Sequence, residues 1–328
     1  MTDQPIKHGI LLVNLGSPAA PTPDAVASWL IEFLSDPYVV ELPRIFWLPL
    51  LKRLIAPRRA PVVAKLYQSI WSDQGSPLVA ISQQQAKALE RYLVRQGHSV
   101  KVSAAMRYGS PSITKELDAL QQQCEQVQVL LQYPQYANST SLSSVKLIEQ
   151  LSNCQPTPAI TDSYPVEPNY IVALKTSIEL HWQKQGRGQH LLISFHGLPE
   201  RSIRRGDPYQ EHCEQTTAAL TKALNLKPAE YTLAYQSRFG RARWIGPSTT
   251  DITEQLAQNG IKQLDVVCPG FSADCLETLE EISVQLQAQF LADGGEQFSY
   301  IPALNDSPAW IEAMASMLMP AFLEQKVD

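Results

Sequence analysis

Two stretches of this chain carry residues fit for proton transfer and metal ligation. In Leu191–Tyr209, LLISFHGLPERSIRRGDPY, the apolar run Leu191 to Ile193 reads as a buried strand. It ends at Ser194-Phe195-His196-Gly197, and Pro199 keeps the chain out of a helix at that point. An imidazole at the exit of a buried strand stands on a rigid base, at the sheet edge where open α/β sheets bind ligands. His196 is thereby singled out among the six histidines. A neutral imidazole accepts a proton near pH 7 or ligates a divalent metal. The plainer alternative is a core histidine satisfied by backbone groups.

The second stretch is Val266–Glu281, VVCPGFSADCLETLEE. A buried strand ends at Cys268-Pro269-Gly270, and a helix is expected from Ala273 or Asp274, with Asp274 as its cap. Asp274, Glu277 and Glu281, three and four apart, would share one helical face, with Leu276, Leu279, Ile282 and Leu286 on the apolar side. A row of carboxylates is costly unless solvated, paired or bound to a cation. A solvated acidic helix start, favoured by the macrodipole, is the competing reading. Two strand ends of one sheet, bearing His196 and Glu277, can converge on one point.

Basic and aromatic residues mark other strand ends: Met106-Arg107-Tyr108-Gly109, Gln132-Tyr133-Pro134-Gln135-Tyr136, and Gln236–Gly240 followed by Trp244-Ile245-Gly246-Pro247. Arginine grips a carboxylate through two parallel hydrogen bonds, and tyrosine offers an apolar face with a polar tip. Surface turns, with Trp244 in the core, are the alternative. Gly270–Asp274 comes near a nucleophile elbow, with His196 as a base. It lacks the final glycine, and the histidine precedes the serine. Asn14–Pro18 is a turn and not a dinucleotide fingerprint, and no P-loop is present.

The elements that must position these residues alternate. Strand-like runs at Gly9–Asn14, Ser99–Ala104, Val127–Leu131 and Ala159–Asp162 are followed by His190–Ser194, Thr232–Gln236, Leu264–Val267 and Phe298–Ile301. Helical patterns lie between and after them at Ser82–Gln96, Ser144–Leu151, Pro168–Gln185, Gln210–Leu224, Thr250–Gln258 and Cys275–Leu291. The alternation predicts an α/β protein with two similar doubly wound, parallel four-stranded halves. The halves are expected at 1–163 and 164–306, with an interdomain cleft and the crossover at Gln155–Val166. The helix at 307–328 is expected to pack back on the first half.

The 328 residues suit two domains. A net charge of −5 gives nucleic-acid binding no electrostatic support. Five scattered cysteines, with no CxxC pair, indicate neither a disulfide framework nor a zinc knuckle and fit a reducing cytoplasm. The N-terminus lacks the apolar core of a signal peptide, and no run approaches the ~20 apolar residues of a membrane span. Asp36–Pro61 stands apart: Phe46, Trp47, Leu48, Leu50, Leu51, Leu54 and Ile55 lie beside Lys52, Arg53, Arg58 and Arg59. It reads either as a core helix with a solvated basic edge, or as an amphipathic lip that admits a large flat apolar ligand or touches a membrane surface.

SFHGLPERSIRRGDPY, YQSRFGRARWIGP and CPGFSADCLETLEE, with QYPQY, MRYG and LLVNLGSP, together resemble the ferrochelatase family, in the form found in Gram-negative bacteria. The resemblance runs from about residue 8 to about residue 320. It implies two Rossmann-like halves and insertion of Fe2+ into protoporphyrin IX, the last step of haem synthesis. Position by position, it makes His196 the acceptor of a pyrrole proton or a ligand of the iron. It makes Glu277 a metal-binding or proton-conducting carboxylate, with Asp274 and Glu281 as an acidic path. Arg107, Tyr108, Tyr136 and Trp244 become porphyrin-pocket residues, and 36–61 a lip over the mouth, with peripheral membrane contact. Cys275 stands where some relatives have histidine, and no cysteine follows it. No permanent cofactor and no 2Fe–2S cluster are therefore expected, and protein partners are left open. A tetrapyrrole carrier, or a chelatase for coproporphyrin or another divalent metal, is the alternative.

Overall fold

The computed structural model describes residues 6–151, 157–238, 240 and 242–323, with side chains as far as residue 318. Cys154, Phe239, Arg241, the first residues of the expected crossover and the end of the 307–328 helix lie outside the described residues. The described chain divides into two compact units. The first runs to Tyr133, resumes over Ala137–Ser163 and continues from Ile311; the second holds Pro134–Tyr136 and Tyr164–Trp310.

The first unit contains β1 (Ile6–Asn14), α1 (Pro23–Leu34), α2 (Arg44–Leu50), a π-helical segment Leu51–Ile55, and α3 (Ala56–Ile70). It continues with α4 (Pro77–Arg95), β2 (Val100–Met106), α5 (Ile113–Gln123), β3 (Cys124–Leu131), a π segment Asn138–Leu142, α6 (Ser143–Leu151) and β4 (Ala159–Thr161). Its four strands are parallel in the order β2-β1-β3-β4. β1 is central, so it is buried on both faces and reads as an unbroken apolar run, Ile10 to Val13. Leu11, Val13, Val129 and Leu131 pack with Ile113, Leu117 and Ile148 of the covering helices. At the carboxyl end of β1, Gly16 has φ +103°, and a Cβ there would stand 1.8 Å from the Tyr108 carbonyl oxygen. Only glycine fits this turn. The close approach lets Asn14 and Leu15 carbonyls accept from Arg107 and Tyr108 N–H groups at 2.8 and 2.9 Å, which fixes the Arg107-Tyr108 dipeptide at the sheet edge.

The second unit contains α7 (Pro168–Gln185), β5 (His190–His196), α8 (Glu200–Arg204), α9 (Tyr209–Ala223), β6 (Tyr231–Gln236), α10 (Thr249–Gln258) and β7 (Gln263–Val267). A π segment Glu277–Leu286 leads into α11 (Gln287–Ala292), followed by β8 (Gln297–Ile301). The sheet is parallel again, in the equivalent order β6-β5-β7-β8. Leu192, Ala234, Val266, Ile282, Leu286, Phe290 and Phe298 form its core. α12 (Pro308–Leu323) starts in this unit; from Ile311 it belongs to the first, where Met314 Sδ accepts from Gln132 Nε2 at 3.5 Å.

Three expectations need correction. The core-helix reading of 36–61 fails for α2, which buries no residue and leaves Ile45 and Phe46 77% and 75% exposed, while Leu51, Ala56 and Ala60 are buried. The Cys275–Leu291 helix starts at Leu276 and runs with π turns to Leu286, because side-chain bonds hold Asp274 and Cys275 outside it. α8 begins directly after Pro199, so this proline precedes a helix rather than preventing one. The four described cysteines are buried free thiols. No helix among the described residues is long and apolar enough to cross a membrane.

The edge of β5 contributes a pH response. His190 is buried with Nε2 2.9 Å from Thr232 Oγ1, and burial holds its pKa below the usual 6.5. The unfolded chain therefore binds more protons at this site than the folded one, so the contribution is complete above ~6.5 and is lost as pH falls. Thermal midpoints should drop between pH 7.5 and 5.5, and His190→Asn should flatten that slope.

Candidate active site

The carboxyl edge of the second sheet gathers the chemistry. β5 runs two residues beyond the strand-like run His190–Ser194, to His196, because β6 pairs with it to the end, with His196 opposite Gln236. The chain then leaves through Gly197, where a Cβ would stand 2.8 Å from the Gln236 carbonyl oxygen and 3.2 Å from the Trp244 ring. Trp244 pairs across Pro199, and Ile245 N–H donates to the Leu198 carbonyl at 2.9 Å. The His196 loop and the Trp244 segment thus form one wall. His196 Nδ1 lies 2.7 Å from the Gly197 carbonyl. A carbonyl only accepts, so Nδ1 carries the proton and Nε2 is the basic nitrogen of the neutral ring.

Behind His196 lies a buried polar ladder. Ser194 Oγ donates to Gln236 Oε1 at 2.8 Å, and Gln236 Nε2 donates to the Glu277 carbonyl at 3.0 Å. This ties β5 and β6 to the start of the π segment. The next residue, Ser237, has φ +62°, a left-handed conformation unusual for serine. There its N–H donates to Glu281 Oε1 at 2.8 Å and its hydroxyl to Oε2 at 2.5 Å. Burial is the largest influence on the Glu281 carboxyl and pushes its pKa up; the Ser237 bonds and His196 oppose this, and Glu277 adds to it. His196, Glu277 and Glu281 therefore share one electrostatic neighbourhood within the second unit.

Asp274 departs from expectation. It neither caps a helix nor joins an acidic row. Its Oδ1 accepts from Thr278 Oγ1 and Tyr300 OH at 2.9 and 2.6 Å, and its Oδ2 accepts from Asn305 Nδ2 at 2.7 Å. With the Ala303 N–H also directed at Oδ1, the carboxylate is filled by structural donors and is 6% exposed. It anchors the π segment to the chain beyond β8. Tyr136 lies in the second unit, and its N–H donates to His212 Nδ1 at 3.1 Å.

Arg107 and Tyr108 belong to the first unit and turn inward. The Arg107 guanidinium bonds to Asp36 Oδ2, Ser143 Oγ and the Ser143 carbonyl; the Tyr108 hydroxyl donates to the same Asp36 oxygen at 2.8 Å, and the residue is 1% exposed. Tyr108 is thereby buried against Asp36 and Ser143. Asp36 and Ser143 were not singled out from sequence, and Gln236 and Ser237 were named only within the Gln236–Gly240 stretch. A serine in a left-handed turn leaves no glycine to mark it, and Asp36 reads as an ordinary Asp-Pro turn. Among the described residues no group of three or more His, Cys, Asp and Glu side chains is arranged to hold a metal ion.

Comparison with known proteins places this arrangement. The fold matches SirB from Bacillus subtilis, solved with Fe3+, at a TM-score of 0.54 and 12% identity, covering 95% of this chain and 94% of that one. Two parallel four-stranded sheets with flanking helices make this an α/β chelatase-like fold. The ferrochelatase family profile matches residues 7–321. A ferrochelatase of Aeromonas hydrophila is 50% identical over 317 residues, covering 95% of this chain and 98% of its own. One of Herminiimonas arsenicoxydans is 43% identical over 346 residues, covering 99% and 94%. The chain belongs to the ferrochelatase family.

Proposed function

We propose that this chain inserts Fe2+ into protoporphyrin IX, forming protohaem and releasing two pyrrole protons at the end of haem synthesis. The observation that carries the reading is the shared neighbourhood of His196, Glu277 and Glu281 at the carboxyl edge of the second sheet. His196 Nε2 accepts a pyrrole proton and transiently ligates the iron. Glu277 guides the cation or takes the proton onward. Glu281, with a pKa raised by burial, is suited to pass that proton to solvent. Imidazole and carboxylate exchange iron more readily than thiolate does, so a substrate metal can move on to the macrocycle. Trp244 supplies an apolar wall beside His196, and a rigid wall favours a buckled ring over a flat one. Tyr136 is assigned to the same pocket. Asp274 acts through the backbone it anchors. Fe2+ is a substrate, and no permanent cofactor is required.

In the first unit the exposed Ile45, Phe46, Leu50 and Leu54, beside exposed Lys52, Arg53 and Arg58, form the lip. Its cations suit the porphyrin propionates, and its apolar face suits peripheral contact with a membrane by a cytoplasmic protein. Phe46→Ser should lower co-sedimentation with vesicles containing anionic phospholipid several-fold; unchanged sedimentation would remove the lip from membrane contact.

The test of the reaction is an anaerobic assay of the purified chain with Fe2+ and either protoporphyrin IX or coproporphyrin III. Many haems per chain, formed faster from protoporphyrin, are expected. Stoichiometric binding without turnover would make the chain a carrier. Preference for coproporphyrin would reassign the substrate.

A further inference from the structure

The lip has a built root. α1 ends at Leu34, and Asp36 follows just before the turn that leads to α2. The Asp36 carboxylate is buried and draws donors from three separate parts of the first unit. Arg107 and Tyr108 reach it from the end of β2, and Ser143 Oγ reaches it from the start of α6 at 2.7 Å. Its other oxygen accepts from Tyr38 N–H at 2.8 Å, and its carbonyl accepts from Val39 and Val40 N–H groups, which shapes the turn itself. Nearby, Trp47 Nε1 donates to the Leu34 carbonyl at 2.7 Å. Beyond these ties, the segment from Ile45 to Leu54 is largely exposed. Its π turns at Leu51–Ile55 are a local departure of the kind that recurs at functional sites.

Arg107 is thereby given a different partner from the one its type invites. A guanidinium expected to meet a propionate is paired with a carboxylate of its own chain, with side chains 16% and 3% exposed. We propose that Asp36 is a positioning residue: its carboxylate latches the root of the lip to Arg107, Tyr108 and Ser143, and so sets the porphyrin mouth. The assignment rests on reading 36–61 as that mouth. Asp36 touches no reacting atom. It acts by holding Ile45, Phe46 and the exposed cations in one place, so that the ordering cost of the lip is met in folding rather than on binding.

The experiment compares the full chain with Asp36→Asn and with Asp36→Asn/Arg107→Gln. The second variant removes the guanidinium that the first would leave buried without its counter-charge, and guards against misfolding. Two quantities are read: limited tryptic cleavage after Lys52, Arg53 and Arg58, with cleavage after Arg204 and Arg205 as the internal control, and the KM values for protoporphyrin and Fe2+. Both variants should be cut about tenfold faster at the lip, with control sites unchanged, as expected for loss of one charge-assisted bond. Porphyrin KM should rise by a similar factor, with the Fe2+ KM unchanged. Unchanged lip cleavage in a folded variant overturns the latch, and so does equal acceleration at all sites. Faster lip cleavage with unaltered porphyrin KM overturns the assignment to the mouth, while wild-type turnover still upholds the reaction itself.

Discussion

Replacing His196 by alanine should lower kcat for iron insertion by about 10²–10⁴-fold at neutral pH, the usual worth of a positioned proton acceptor. The Gly197 carbonyl bonds Nδ1 and directs the basic Nε2 away from the backbone, so the ring is prepared for transfer. The loss should be chemical rather than structural. β5 is held by its ladders to β6 and β7, and these use only backbone groups. The thermal midpoint of His196→Ala should therefore stay within a few degrees of wild type. Porphyrin affinity, read by quenching of protoporphyrin fluorescence, should change little. Wild-type chelation by a folded His196→Ala protein would remove the imidazole from the mechanism.

Glu277→Gln should cost about 100-fold in kcat, with porphyrin KM nearly unchanged. The amide keeps the size of the side chain and leaves intact the backbone carbonyl that accepts from Gln236. It removes the charge proposed to guide the cation or receive the proton. A second signature has a definite sign. Glu277 is among the influences that raise the Glu281 pKa, so neutralising it lowers that pKa. The acid limb of the residual activity should move to lower pH. Equal losses in kcat and in porphyrin binding, with an unmoved acid limb, would make Glu277 a structural residue.

The strands were legible because a parallel strand buried on both faces is an apolar run, as in β1. All eight strand-like runs in the sequence are strands in the structure, with no end shifted by more than three residues. α7 starts where Pro168 marks it, capped by the Glu167 carboxylate on Tyr170 N–H. The helices that escaped were α1, α3, α5 and the five-residue α8. α1 follows a Pro- and Ala-rich lead, α3 carries Pro61 inside its span, and α5 is short and ends directly in β3. The shared neighbourhood of His196 and Glu277 was legible from their positions after strand ends. The roles of Asp274 and Arg107 were not. Residue type shows that a carboxylate or guanidinium can bind a ligand, but not whether Tyr300 and Asn305, or Asp36 and Ser143, have claimed it first. Those partners lie from 26 to 71 positions away, beyond any local pattern.

A protein that handles ferrous iron in the presence of oxygen works beside a Fenton reagent, and peroxide attacks sulfur as the thiolate. Each buried thiol of the described chain is held in its protonated form: burial pushes the Cys124, Cys213, Cys268 and Cys275 pKa values up, most strongly for the last three. Cys275 lies two positions from Glu277, yet Glu277 itself helps to keep that sulfur protonated. Burial, with the Glu277 carboxylate beside it, thereby disfavours the Cys275 thiolate, the form that peroxide attacks.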